Sequence, residues 1–134
     1  MTRSLTRARR ILALQEQLHR VEHWRLLELQ HRAAELDRER QELIAALNDD
    51  DALAGLFLDA TARRLVAIAR GADDVARQEQ LQGERLAEQA MQVACAERLE
   101  ERVSLEARRE SEKKALGEVI EAAVGRANAS SPQD

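Results

Sequence analysis

The residues whose types and spacing could do chemistry are three histidines, one cysteine and two charged clusters. His19 and His23 stand four apart, so on a helix they share a face and could chelate a metal ion. Glu16 and Glu28 precede His19 and His31 by three, the Glu-x-x-His spacing of di-iron helical bundles. Such a site needs matching ligands on a facing helix, and no histidine follows His31. A solvated helix face accounts for these side chains better, so neither metal nor cofactor is expected. Cys95 lies among Val93, Ala94 and Ala96, where a small buried thiol is the default. A catalytic cysteine would need a base beside it, and all three histidines belong to an earlier part of the chain. With no glycine-rich phosphate loop, nucleophile elbow or cysteine metal cluster, the chain does not read as an enzyme.

The charged clusters point to binding. Arg3, Arg7 and Arg10 share one helical face, and no acidic residue occurs before Glu16. Phosphate could use such a patch, but no aromatic residue lies nearby to stack a base and the remaining chain is acidic. A protein-docking patch or a solvated helix end fits that balance better than nucleic acid. Between Glu97 and Lys114 there are six acids and six bases, including Glu97, Arg98, Glu101, Arg102, Arg108 and Arg109. Such a run is a solvated helix by default, and an interaction segment if the helix has no partner of its own. Trp24 has two readings, packing at the edge of the apolar stripe or contact with another protein.

Composition dictates the elements that carry these groups. Of 134 residues, 34% are charged and 44% apolar, yet only Trp24 and Phe57 are aromatic. Ala, Leu, Glu, Arg and Gln lose little side-chain entropy in a helix, and this mixture is that of long helices rather than a compact domain. The formal net charge of −4 is mixed along the chain, which suits solubility. One cysteine permits no internal disulfide, and Ile11 to Leu14 is too short an apolar block for a signal peptide. No run approaches the ~20 apolar residues of a membrane span. The expected setting is cytoplasmic, with peripheral attachment to a membrane complex left open.

The spacing predicts an all-α, long antiparallel two-helix coiled-coil hairpin occupying residues 1–127. The first helix is predicted over about residues 5–47, with a stripe through Ile11, Leu14, Leu18, Val21, Arg25, Leu29, Ala33, Leu36, Arg40, Leu43 and Leu47. Its steps alternate three and four except for consecutive fours around Arg25, a stutter that relaxes the supercoil. Pairs such as Glu16/Arg20, Glu28/Arg32 and Glu110/Lys114 have the favourable i,i+4 order. Asn48 can close this helix, and Asp50 or Asp51 can cap the next, so the turn is predicted over 48–51. The second helix is predicted over about 52–126; Gly71 followed by Asp73 reads either as a stop and restart or, the preferred reading, as a glycine tolerated in a continuous helix. Its looser, alanine-rich stripe runs from Leu53 and Phe57 through Leu65, Ile68, Ala72, Val75, Gln82, Leu86 and Ala90 to Leu116 and Ile120. Residues 128–134, with Pro132, are expected to form a frayed, disordered tail. A turn at 48–51 sets residues 3–10 opposite 89–97 and leaves a stretch near 95–126 without an intramolecular partner. An unpartnered amphipathic helix is a candidate docking surface.

Two segments resemble the FliJ/YscO-like proteins, small coiled-coil hairpins of type III flagellar and virulence export. The opening Leu5-Thr6-Arg7-Ala8-Arg9-Arg10-Ile11-Leu12-Ala13-Leu14-Gln15-Glu16 is similar to the family's basic, leucine-bearing start. The later Ala96-Glu97-Arg98-Leu99-Glu100-Glu101-Arg102, then Glu110 to Lys114 and Leu116-Gly117-Glu118, resembles its late-helix run of Leu, Arg and Glu. The stretch from Ala52 to Gln82 is richer in alanine than that family. The resemblance implies a non-enzymatic central stalk for a hexameric export ATPase, in contact with the export gate and substrate chaperones. The alternative is a generic coiled-coil scaffold or dimerisation module whose partner is another copy or an unrelated protein.

Overall fold

The computed structural model describes residues 2–48 and 57–130. Two helices account for nearly all of them: α1, Thr2–Asn48, and α2, Leu58–Ala129, packed against each other as an all-α hairpin. Helix α1 carries neither glycine nor proline. Helix α2 opens with Asp59 in its first turn and ends with Arg126 in its last, charges that suit the two ends of the helix dipole. At its start the Thr61 amide and hydroxyl both donate to the Phe57 carbonyl, each at 2.9 Å. At its end the Ser130 amide donates to the Arg126 carbonyl at 3.0 Å. Helix continues through Gly71. The predicted turn residues Asp49, Asp50 and Asp51, the helix start at Ala52 and the stripe position Leu53 lie outside the described residues. Of the tail expected from residue 128, helix takes in Asn128 and Ala129, and residues 131–134 lie outside the described part.

The chain divides into two compact units, each made of a piece of both helices: residues 17–91, and residues 1–16 with 92–134. In the first unit, Leu36, Ile68 and Val75 form a buried core, with Ala33 and Leu43 packed on it. Ile68 is only 2% exposed. Arg64 reaches Glu39 across the helices and Gln82 reaches Glu22, so α1 and α2 run antiparallel here. In the second unit Ala8 and Ala96 are buried, and Arg9 meets Glu100 at 3.5 Å. Alanines on facing helices bury little area per residue, so this unit has the thinner apolar layer.

The packed side of α1 differs from the predicted stripe. Its buried and half-buried positions include Leu5, Ala8, Leu12, Gln15, His19, Glu22, Leu26, Leu29, Ala33 and Leu36. These steps alternate three and four without interruption, so no stutter is needed at Arg25. Leu14, Leu18 and Val21 are instead 57%, 42% and 43% exposed, and Arg25 is exposed with them. The reason is phase. Leu29 and Leu36 fix which side of α1 faces α2, and an unbroken heptad carried back from them passes through Leu26, Glu22 and His19. Farther along, Arg40 is exposed beside Asp37, while Glu39 turns towards Arg64. On α2 the positions Leu65, Ile68, Val75, Gln82 and Leu86 are buried or half-buried as expected, but Phe57, Ala72 and Ala90 are exposed.

The partner register is also displaced. Arg9 meets Glu100, whereas a turn at 48–51 set residues 3–10 opposite 89–97. The pairs Arg9/Glu100, Glu22/Gln82 and Glu39/Arg64 all set α1 against higher numbers on α2 than that turn would give. Partly buried positions on α2 therefore continue to Ala107, and among the described residues the part without a packed partner begins at about residue 108 rather than 95.

Gly71 faces Leu36, and a Cβ built there would meet the Leu36 methyls at 3.6 and 3.8 Å, ordinary contact distances. Glycine inside a helix costs about 1 kcal/mol relative to alanine. Gly71→Ala should therefore raise stability by about 0.5–1 kcal/mol, read as a higher urea midpoint at unchanged slope. A lower midpoint would show that the approach of the helices needs glycine.

Candidate protein-docking surfaces

The seam of the first unit is apolar around Leu36 and polar towards its other end. Gln82, 5% exposed, is the one buried polar residue among those described. Its Nε2 donates to the Glu22 carbonyl at 2.9 Å and also to the Glu22 carboxylate. That carboxylate accepts a further hydrogen bond from the Arg25 guanidinium at 3.1 Å. His19 is half-buried on the same side of α1, and its Nδ1 is buried without a hydrogen-bond partner. A polar layer of this kind adds little net stability, but in coiled coils it specifies register and partner number.

Helix α2 beyond Ala107 presents a different surface. From residue 108 to 129 every residue is exposed except Gly117, which is half-buried. Leu116, Val119, Ile120 and Val124 are each more than half exposed. They follow one another at i, i+3, i+4 and i+8, the spacing of one apolar helix face. The predicted stripe named Leu116 and Ile120; Val119 and Val124 complete the face.

The charged residues singled out from sequence all lie on the surface. Arg3, Arg7 and Arg10, with Thr6, line one shallow groove. The register set by Arg9 and Glu100 places them alongside residues 99–106, so Glu101 and Arg102 belong to their surroundings, with Glu97 and Arg98 just before. Arg108 and Arg109 stand where the unpartnered segment begins, and Arg109 shares a second groove with Glu106, Glu110, Lys113 and Lys114. Trp24 is 64% exposed, so packing between α1 and α2 is not its role.

Three further expectations are corrected. Cys95 is exposed rather than buried, because Ala96 holds the seam position and its neighbour is turned away. The pairs Glu16/Arg20, Glu28/Arg32 and Glu110/Lys114 do not form among the described residues. Arg32 turns to Glu35 at 3.7 Å, and His31 meets the same carboxylate at 3.0 Å. His19 and His23 do not share an environment, since His19 is half-buried and His23 exposed. Among the described residues, no three His, Cys, Asp or Glu side chains converge as metal ligands would. No described helix is long and apolar enough to cross a membrane. No protein-family model, curated protein or solved structure matches this chain significantly.

The Gln82 layer can be tested directly. Gln82→Leu keeps roughly the same volume, and Glu22 retains Arg25 and solvent. Stability should stay within about 1 kcal/mol of the parent or rise. The cost should appear as loss of a single register, read as broadened or doubled amide resonances near Leu26 and Leu86. A drop of several kcal/mol with one sharp set of resonances would mean that the layer stabilises rather than specifies.

Proposed function

We propose that this chain is a non-enzymatic coiled-coil component of a type III protein-export apparatus, acting as the stalk of a hexameric export ATPase. The observation that carries the protein-binding part of this reading is the exposed face of Leu116, Val119, Ile120 and Val124 on a helix that outruns its partner. Such a face is a helix-in-groove ligand, read by its partner at i, i+3, i+4 and i+8. The ATPase part rests on the resemblance of two segments, 5–16 and 96–118. Both segments contribute to one compact unit, where Ala8 and Ala96 are buried and Arg9 meets Glu100. Contacts with the export gate and with chaperones are further implications of the same resemblance. In this reading Arg3, Arg7 and Arg10 steer the encounter and set orientation, while the apolar face holds the complex.

Capture of the purified chain by the candidate ATPase, read together with the hydrolysis rate, tests this. Leu116→Glu with Ile120→Glu should weaken capture by about tenfold or more, since each change sets a charge in the apolar contact. Arg3→Glu, Arg7→Glu and Arg10→Glu together should weaken it most at low salt and least at high salt. Helix content should be unchanged in both. Parental binding by both variants would remove the stalk reading and favour the scaffold.

A further inference from the structure

In residues 17–91 the polarity of α1 is inverted over more than one turn: His19 and Glu22 lie on the packed side, while Leu18 and Val21 are more than 40% exposed. Position for position, the seam takes the polar residue and the outer face takes the apolar one. Helix α2 mirrors this, with Gln82 buried and Leu81 57% exposed. These outer residues are not scattered. A groove between the helices is lined by Arg25, Glu28 and Leu29 of α1 with Leu81, Gln82 and Arg85 of α2. Leu18 and Val21 precede Arg25 at heptad spacing on that same side of α1. Leu18, Val21 and Leu81 thus belong to one face of the unit, next to charged residues.

The charges on that face identify what would cover it. Glu28 and Arg85 form no ion pair with any described residue, although both line the groove, and Arg25 is held only by Glu22 of its own helix. The face carries both signs, Arg25 and Arg85 against Glu28. A strongly acidic or strongly basic partner would meet like charge here. A surface bearing unpaired charges of both signs is complementary to itself, as an isologous interface requires. We propose that a second copy of this chain docks on this face, burying Leu18, Val21 and Leu81 from both copies and pairing Glu28 of each with arginine of the other. Two hairpins meeting in this way give each helix a second neighbour, which accounts for the apolar residues on the outer face of α1. The face belongs to residues 17–91 and the Leu116 to Val124 face to the other unit, so this proposal stands or falls independently of ATPase binding.

Sedimentation equilibrium of the full chain over a wide concentration range tests it. The parent should form a dimer, and Leu18→Glu with Leu81→Glu should weaken it by about tenfold or more without loss of helix by dichroism. Leu116→Glu with Ile120→Glu, outside this face, should leave the dimer intact. A charge exchange supplies the second readout. Arg25→Glu with Arg85→Glu, and separately Glu28→Arg, should each fail to self-associate, yet the two variants mixed should pair. A parent that stays monomeric at every concentration overturns the proposal. So does a dimer that survives the Leu18 and Leu81 changes, one that is lost with the Leu116 and Ile120 changes, or one for which the mixed charge variants do not pair.

Discussion

An α-helix packed on a single neighbour can bury only one narrow stripe, and the choice of stripe governs everything else in this chain. Leu36, Ile68 and Val75 make that choice. Once they interlock, the 3–4 alternation carries the same side of α1 back along the helix, whatever residues happen to stand there. It reaches Glu22, His19 and Gln15 before it returns to Leu12 and Ala8. The apolar residues one position away are left outside. The polar seam and the exposed leucines are therefore one fact seen from two sides, both set by phase inherited from the core.

Phase also explains what local spacing can and cannot reveal. Two long helices and the packed positions Leu65, Ile68, Val75, Gln82 and Leu86 follow from periodicity and the scarcity of helix breakers. The stripe through Leu14, Leu18 and Val21 follows from periodicity too, yet it is exposed. Both candidate stripes on α1 have 3–4 spacing, so counting apolar residues selects the wrong one. The stutter at Arg25 is the visible trace of that error, since it is required only to join the apolar N-terminal stripe to the correct C-terminal one. Continuity of phase from Leu36 selects Leu26 and Glu22 without it. Partner register is illegible for a different reason. It depends on how the seam residues of the two helices interlock, which the period of either helix alone does not give, and a slip of a few residues moves every cross-helix pair, including Arg9 and Glu100. The surface position of Arg3, Arg7, Arg10 and the segment after Glu97 is legible because charge on a helix must face water somewhere, but their neighbours depend on that register.

The electrostatics contribute more to geometry than to stability. Arg9 and Arg64 are mostly exposed, and their partners Glu100 and Glu39 keep part of their surface in water. Pairs this open are worth about 0–1 kcal/mol after screening and lost side-chain freedom. They cannot hold two alanine-faced helices together. They can disfavour sliding by a turn, because slippage would set Arg9 or Arg64 against a different side chain. Glu22 and Gln82 do the same from inside the seam, where leaving an amide unpaired costs more than at the surface. Polar contacts thus set register within each unit, while the cohesion of residues 17–91 is concentrated around Ile68.

The unpartnered end of α2 raises the question of why it stays helical at all. An isolated segment of this length is marginal in water, because the first turn fixes several residues for a single hydrogen bond. Here that nucleation is already supplied by the packed part of the same helix, and each further residue needs only propagation. Ala, Glu, Lys, Arg and Leu between 108 and 124 are residues that favour it. Gly117 and Gly125 work against it, each by about 1 kcal/mol, with nothing within 4 Å of the space where a Cβ would stand. The result is a helix held in shape by its continuity with α2 rather than by packing against another element among the described residues. A partner that binds Leu116, Val119 and Ile120 meets a face already ordered, so less of its interaction energy goes into folding the ligand.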